Sequence, residues 1–336
     1  VSAAQGLQAG TSHGYSSYRS LPGLRSAMAD WYLKTYQVKV DPACEVLPLL
    51  GSKEGIFYLS MAFLNPGDHV LIPDPGYPAY GAAAELVGAQ AIRYPLTQKC
   101  GWLPDLDALE AGDLSKFKIM WVNYPHMPTG ARGSRALFEK LAAFARRNRI
   151  MICNDNPYGL VLNQAPPESL LSADPALEWS LELNSLSKSF NMAGWRVGML
   201  LGAKVAVDAV VKVKSNVDSG MFAPIQAGAI AALKNSDTWH RERNQIYAER
   251  RELVAQIFDR LQFSHETEQV GLFIWAKAPP KVGDVPAFCD EVLLRHHIFL
   301  TPGSIFGTNG ARYARASLCA PAPRLREALA RLEHQP

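Results

Sequence analysis

The chain is predicted to be an α/β protein: a large domain on a mostly parallel, seven-stranded sheet with helices on both faces, followed by a smaller α+β C-terminal domain. Three observations carry this prediction. Apolar runs of strand length alternate with amphipathic helical stretches through the first two thirds of the sequence, as βαβ units require. After about residue 235 that alternation gives way to one long charged helical pattern and then to mixed strand and helix signals. Finally, 336 residues with 48% hydrophobic and 19% charged composition can bury a sizeable core, which excludes a disordered or collagenous chain.

The strand candidates, in order, are 45–50, 69–73, 91–95, 118–123, 150–154, 178–183 and 197–201. Between them, 55–64 and 134–148 read as helices, the second with Leu137, Leu141, Phe144 and Ala145 at helical spacing. Asn235, Ser236 and Asp237 supply N-cap chemistry to a long helix with Trp239, Ile246, Val254, Ile257 and Leu261 along one side, a connector between domains. Beyond it, 270–276 and 297–301 read as strands, and Leu325, Ala328, Leu329 and Leu332 mark a closing amphipathic helix. The expected division is an N-terminal segment at 1–30, a large domain at 31–235 and a small domain at 236–336. No internal repeat or low-complexity segment interrupts it.

Charge and cysteine usage narrow the function classes. Lys and Arg (34) barely exceed Asp and Glu (31), with no basic block, so nucleic acid is not an expected partner. The five cysteines, Cys44, Cys100, Cys153, Cys289 and Cys319, are odd in number, widely spaced and without a C-x-x-C pair. They fit a reducing, cytoplasmic setting rather than a disulfide framework or zinc site. The longest weakly polar stretch, 220–233, is too short for a membrane span. Val1 opens a chain without an initiator Met or a signal pattern, so a truncated N-terminal arm is expected. His296 and His297, adjacent in an expected strand, face opposite ways and show no metal-ligand spacing.

The most informative run is 185–198, SLSKSFNMAGWRVG. It places Lys188 among small hydroxyl residues after a strand, with Arg196 eight positions on. A partly desolvated lysine forms a Schiff base with an aldehyde. Hydroxyls and a guanidinium hold a phosphate beside it. Alone, such a short match reads equally as a solvated loop lysine. Upstream, Asp155 ends an apolar strand at the carboxyl edge, where ligands of α/β sheets bind. It reads either as a turn cap or as the anion that keeps a pyridine nitrogen protonated. Tyr158 follows one turn on, an ordinary half-buried tyrosine or a donor to the phenolate oxygen of that ring. Gly51-Ser52-Lys53 follows a strand and opens a helix, a common but suitable anion site. In Asp74-Pro-Gly-Tyr77-Pro-Ala-Tyr80 either tyrosine offers a flat face to a planar cofactor, or both are core residues beside a rigid turn.

In this order and spacing the motifs resemble the fold-type I, class I and II pyridoxal-phosphate-dependent aminotransferases, from about Gly14 to the C-terminus. Gly51-Ser-Lys-Glu-Gly-Ile, Val122-Asn-Tyr-Pro, the 185–196 run and Lys214-Ser-Asn-Val-Asp-Ser-Gly are most similar to the branch containing LL-diaminopimelate aminotransferase. The resemblance implies a cofactor, pyridoxal 5′-phosphate, carried covalently by Lys188, which also shuttles the proton. Asp155 then pairs with the pyridine nitrogen, Tyr158 contacts the ring oxygen and Tyr77 stacks on the ring. Ser52, the Lys53 backbone, Ser185, Ser187 and Arg196 form the phosphate cup. Tyr15 matches a tyrosine that reaches the neighbouring subunit's phosphate, which implies a homodimer with shared sites. Arg315 matches the arginine that grips the substrate α-carboxylate, with Arg312 a second candidate.

Three departures stand out. Met127 replaces the asparagine of the family's Asn-Pro-Thr-Gly, and a thioether cannot donate a hydrogen bond. Ser20 stands where the family usually has glycine. The family's N-terminal arm has no counterpart before Val1. The implied reaction is ping-pong transfer of an amino group from an amino acid to a 2-oxo acid, on LL-diaminopimelate-like or aspartate- and alanine-like substrates. The same scaffold also hosts β-lyases, decarboxylases and non-catalytic cofactor sensors fused to DNA-binding modules. No helix-turn-helix pattern accompanies this chain.

Overall fold

The computed structural model describes residues 1–8 and 12–333. Seven strands form the large sheet: β1 (Val46–Leu49), β2 (His69–Asp74), β3 (Gln90–Pro95), β4 (Phe117–Val122), β5 (Met151–Asp155), β6 (Ser180–Ser185) and β7 (Gly198–Leu201). Their spatial order is β1-β7-β6-β5-β4-β2-β3, and β7 alone runs antiparallel to its neighbours. The other strands therefore end at one common edge.

Both faces of this sheet are covered, which is why its strands read as unbroken apolar runs. Alternate side chains go to opposite cores. Val70, Ile72, Trp121, Cys153 and Leu181 pack with the helices Ser52–Phe63 and Lys204–Lys214. Leu71, Met120, Val122 and Ile152 face the helix Arg135–Asn148 on the other side. At the β1 and β7 end of that second side, Val46, Met199 and Leu201 meet Pro22–Tyr36.

A second, four-stranded sheet is built from β8 (Ser264–His265), β9 (Phe273–Lys277), β10 (Thr301–Pro302) and β11 (Tyr313–Ser317), in the order β10-β11-β9-β8 and antiparallel throughout. The helix Asp237–Arg260 links the sheets. Ser236 caps it by accepting from the Trp239 N–H at 3.3 Å. Its first half reaches the large-sheet turns: Arg243 donates to the carbonyls of Ser189 and Leu160, and Tyr247 donates to Asn191 at 2.9 Å. Its second half packs Val254, Ile257 and Phe258 into the core under the small sheet.

Three expectations are corrected here. His296 and His297 are not in a strand. Val285, Cys289 and Val292 bury one side of a helix, Val285–His296, which Asp284 caps, and His297 ends it in a left-handed conformation at φ 55°. The strand following is only Thr301–Pro302. The run expected from 270 begins at Phe273, because Gly271 at φ 98° breaks the extended backbone. On the connector helix Ile246 faces solvent at 52% exposure, whereas Arg243 and Tyr247 take the buried side, since the carbonyls beneath need donors. Among the described residues, no helix is long and apolar enough to cross a membrane.

Candidate active site

A cleft of about 570 Å³ opens at the carboxyl edge of the large sheet and is closed on one side by the small sheet. A larger depression, about 800 Å³ beside Tyr36, Arg135 and Glu168, gathers no comparable set of functional groups. Chemistry rather than volume singles out the cleft.

Its floor comes from the ends of β1, β5 and β6. After β1, Gly51 turns at φ 91° into the helix that begins at Ser52. Glu54 holds the turn by accepting from the Leu50 N–H at 2.6 Å, and Ser52 and Lys53, in the first turn where helix N–H groups have no intrahelical acceptor, line the cleft. A side chain at Gly51 would collide with the Arg196 guanidinium, and one at Gly198 would come within 2.5 Å of the Ser52 nitrogen. β7 therefore approaches this turn closely enough to bring Arg196 over it. Arg196 is held by Ala193 O at 2.9 Å and Ser187 Oγ at 3.3 Å. Ser185 caps the short helix Leu186–Ser189, accepting from the Ser187 N–H at 3.1 Å. That turn presents Lys188 to the cleft, half-buried.

Asp155 ends β5 facing the same space. Its Oδ2 accepts from the Tyr80 hydroxyl at 3.1 Å, and its buried Oδ1 has no partner among the described residues. Burial raises its pKa to about 7, with Tyr80 and Lys188 pulling it down and Glu182 pushing it up. Tyr80 is stacked on Trp121 at 4.9 Å behind the carboxylate, so of the two tyrosines it is Tyr77 that lines the cleft. Lys53 Nζ lies 5.6 Å from the Tyr77 ring centre.

The opposite wall is aromatic and cationic. Arg315, on β11, sits between Phe273 at 4.0 Å and Phe306 at 4.5 Å. Its Nη1 donates to Met127 Sδ at 3.2 Å, and its Nε is buried without a partner among the described residues. Tyr158 packs edge-on against Phe273, its phenol pushed up by burial and drawn down by Arg315. Arg312 is not in the cleft; it donates to the carbonyls of Val282 and Pro279 and ties down a loop. His126, next to Met127, also turns away, bonded to Thr129 Oγ1 at 2.8 Å and held neutral by burial with its pKa lowered to about 3.

Ser52, Lys53, Tyr77, Asp155, Tyr158, Ser185, Ser187, Lys188, Arg196 and Arg315 thus share one cleft. Tyr15 does not join them in the single chain. It is 93% exposed on a segment anchored by the bond from Ser16 Oγ to Met221 O at 2.7 Å. Sequence reasoning missed Asn123, Phe273 and Phe306. Asn123 lines the cleft and accepts from the Met127 N–H at 2.8 Å. The two phenylalanines carry no motif, because what selects them is a guanidinium distant in sequence. Ser20 is buried at φ 62°, a left-handed backbone that glycine adopts more readily.

The residues fit pyridoxal phosphate on the cleft's own terms. An unpartnered buried carboxylate oxygen requires a donor, which a ring N–H supplies. Helix N–H groups, hydroxyls and Arg196 suit a dianion at the other end.

Residues 1–332 match the family model for class I and II aminotransferases. The chain is 40% identical over 321 residues to an LL-diaminopimelate aminotransferase of Dehalococcoides mccartyi, covering 95% of this chain and 82% of that protein. It is equally 40% identical over 322 residues to one from Nitratidesulfovibrio vulgaris, covering 95% and 83%. Among solved structures, substrate-bound BacF from Bacillus subtilis superposes with a TM-score of 0.94 at 35% identity, over 99% of this chain and 85% of that one. A probable N-succinyldiaminopimelate aminotransferase from Thermus thermophilus gives 0.91 at 32% identity, over 98% and 89%.

Proposed function

The chain belongs to the class I and II aminotransferases, and from that premise we propose how its own residues carry the reaction. It is a pyridoxal 5′-phosphate-dependent aminotransferase of fold type I, acting on amino acids and 2-oxo acids. When bound, the cofactor supplies an aldehyde that captures amines and a protonated ring that draws electrons from the substrate Cα.

Lys188 Nζ, the primary amine that lines the cleft, would hold the cofactor covalently and is the group placed to accept and return the Cα proton. Asp155 Oδ1 would accept a ring N–H, Tyr158 would donate to the ring oxygen and Tyr77 would lie against the ring. Ser52, the Lys53 N–H, Ser185, Ser187 and Arg196 hold the phosphate. Arg315 takes the α-carboxylate of each substrate in turn, in a ping-pong cycle. The observation that carries this reading is the convergence of a primary amine, an unpartnered buried carboxylate oxygen and two separated guanidinium groups in one cleft.

The proposed donor is LL-diaminopimelate or a close diamino acid, which the names of the 40%-identical relatives support. The proposed assembly is a homodimer in which Tyr15 reaches the partner's phosphate site, a reading supported by that tyrosine's exposure. Five free thiols support a reducing, cytoplasmic setting, and the working domains are taken as 31–235 and 236–336. Borohydride reduction followed by peptide mapping tests the site: a pyridoxyl group on Lys188 is expected, and a label on another lysine overturns the assignment. An amino-acid panel with 2-oxoglutarate, read by cofactor absorbance, tests the donor; a failure of LL-diaminopimelate to react removes that substrate.

A further inference from the structure

Glu182 lies in the middle of β6, fully buried, paired in register with Asn154 of β5. Five donors converge on its carboxylate: Tyr32 Oη at 2.9 Å, Ser169 Oγ at 2.9 Å, the Leu170 N–H at 3.0 Å, Asn154 Nδ2 at 2.9 Å and Asn156 Nδ2 at 3.3 Å. Burial pushes the Glu182 carboxyl up, and the donors from Asn154, Leu170, Ser169 and Tyr32 pull it back toward the anion, whose oxygens they satisfy. Two of those donors, Asn154 and Asn156, are the residues immediately before and after Asp155. Successive side chains on a strand point to opposite faces, so holding both asparagines on the Glu182 side leaves Asp155 only the cleft side.

We propose that Glu182 is the positioning residue for Asp155, gripping both flanking asparagines so that the Asp155 carboxylate is aimed at the cofactor's ring nitrogen. This rests on the reading of Asp155 given above. The grip has an electrostatic companion. The titratable groups facing Asp155 are Tyr80 from the helix Ala79–Leu86, Lys188 from the turn after β6, Tyr158 beyond β5, and Glu182 itself. Those facing Glu182 are Tyr32 and Tyr36 from the helix Pro22–Tyr36, and Asp155. The Glu182 charge favours the protonated form of Asp155, against Tyr80 and Lys188. A more basic carboxylate holds a ring N–H more firmly.

The test is a double-mutant cycle on the holoenzyme, Glu182→Gln against Asp155→Asn, reading the pyridoxal phosphate dissociation constant, kcat and KM separately, and the thermal midpoint. Glu182→Gln should weaken cofactor binding and lower kcat roughly ten-fold with KM for the amino acid little changed, and both losses should shrink below about two-fold when Asp155 is already Asn. Equal losses in both backgrounds mean that Glu182 serves folding alone, and overturn the proposal. If Asp155→Asn by itself alters neither cofactor binding nor kcat, the reading of Asp155 fails and the proposal with it. Should Glu182→Gln not fold, Asn156→Ala takes its place, since it loosens one flank and leaves the other four donors. A loss of cofactor affinity confined to the Asp155 background supports the grip, and an equal loss in both backgrounds refutes it.

Discussion

The two arginines of the cleft are held by opposite means. Arg196 lies on the exposed rim, its guanidinium bonded to a backbone carbonyl and a serine hydroxyl, with helix N–H groups and further hydroxyls around it. Arg315 is mostly buried between two phenylalanine faces, with a thioether as its one side-chain acceptor among the described residues. An anion at the first end meets many small contributions, of which the arginine is one. At the second end the charge is concentrated in a single guanidinium, whose planar fork is kept rigid by stacking. Redundancy at one end and dependence on one residue at the other is the expected consequence.

The sharpest way to break that comparison is Arg315→Lys. It should weaken every amino acid by a similar factor, on the order of 2–5 kcal/mol, while leaving cofactor affinity intact. Substrate titrations of the loaded enzyme measure it. Arg312→Lys is the control and should do far less, because Arg312 only ties a loop. If the two effects are reversed, the carboxylate end has been misplaced.

Between the ends stands Asp155, and its buried charge makes a stability prediction for the chain stripped of cofactor. Its folded pKa, raised to about 7, lies above the usual carboxylate value, so the folded state holds a proton that the unfolded state releases. Stability should therefore fall as pH rises from about 4 to about 7, by a few kcal/mol at most. His126 and His240, depressed to about 3 and about 4, act in the opposite direction, losing stability as pH falls below their unfolded value. The difference between this chain and Asp155→Asn isolates the carboxylate. Thermal midpoints across that range should converge at the acid end and favour the asparagine variant at about pH 8. Parallel curves would mean that Asp155 is ionised throughout.

At the redundant end, Arg196→Lys should cost only about 1–2 kcal/mol of cofactor affinity, since the helix N–H groups and hydroxyls remain. A loss as large as that of Arg315→Lys at its own end would erase the contrast. The smallest effect belongs to Met127→Asn. An amide donor beside the ring oxygen favours its anionic form, so the pH midpoint of the bound cofactor's absorbance should fall by up to about one unit. An unchanged midpoint would show that a donor besides Tyr158 already stands in the amide's place. His126 is not that group, since its ring turns toward Thr129.

Local chemistry makes much of this protein legible in the sequence. The strands at the large sheet's carboxyl edge read as apolar runs, and Gly51-Ser52, Asp155 and Lys188 are each found just after such a run; each has an ordinary reading as a turn, cap or loop residue when taken alone, and it is their joint order and spacing that single them out. Arg315 is reached by resemblance; it lies in the cleft, whereas Arg312 is tied to loop carbonyls. Other features carry no local signal. The end of the helix at His296 and His297 reads as strand because a short apolar run has no decisive period, whereas the Asp284 cap and the burial of Cys289 and Val292 are settled by what packs against them. Ile246 and Arg243 exchange the places their polarity suggests, since two carbonyls from distant turns need a donor more than the core needs another methyl group. Phe273 and Phe306 become the walls of a cation, and Glu182 the hub behind Asp155, only through partners far away along the chain. Sequence by itself determined which groups stand at strand ends and helix starts, because backbone periodicity and capping act over a few residues. Tertiary structure decided which of those groups meet and which buried polar atoms stay unpartnered, because burial and charge depend on neighbours that only the closed chain brings together.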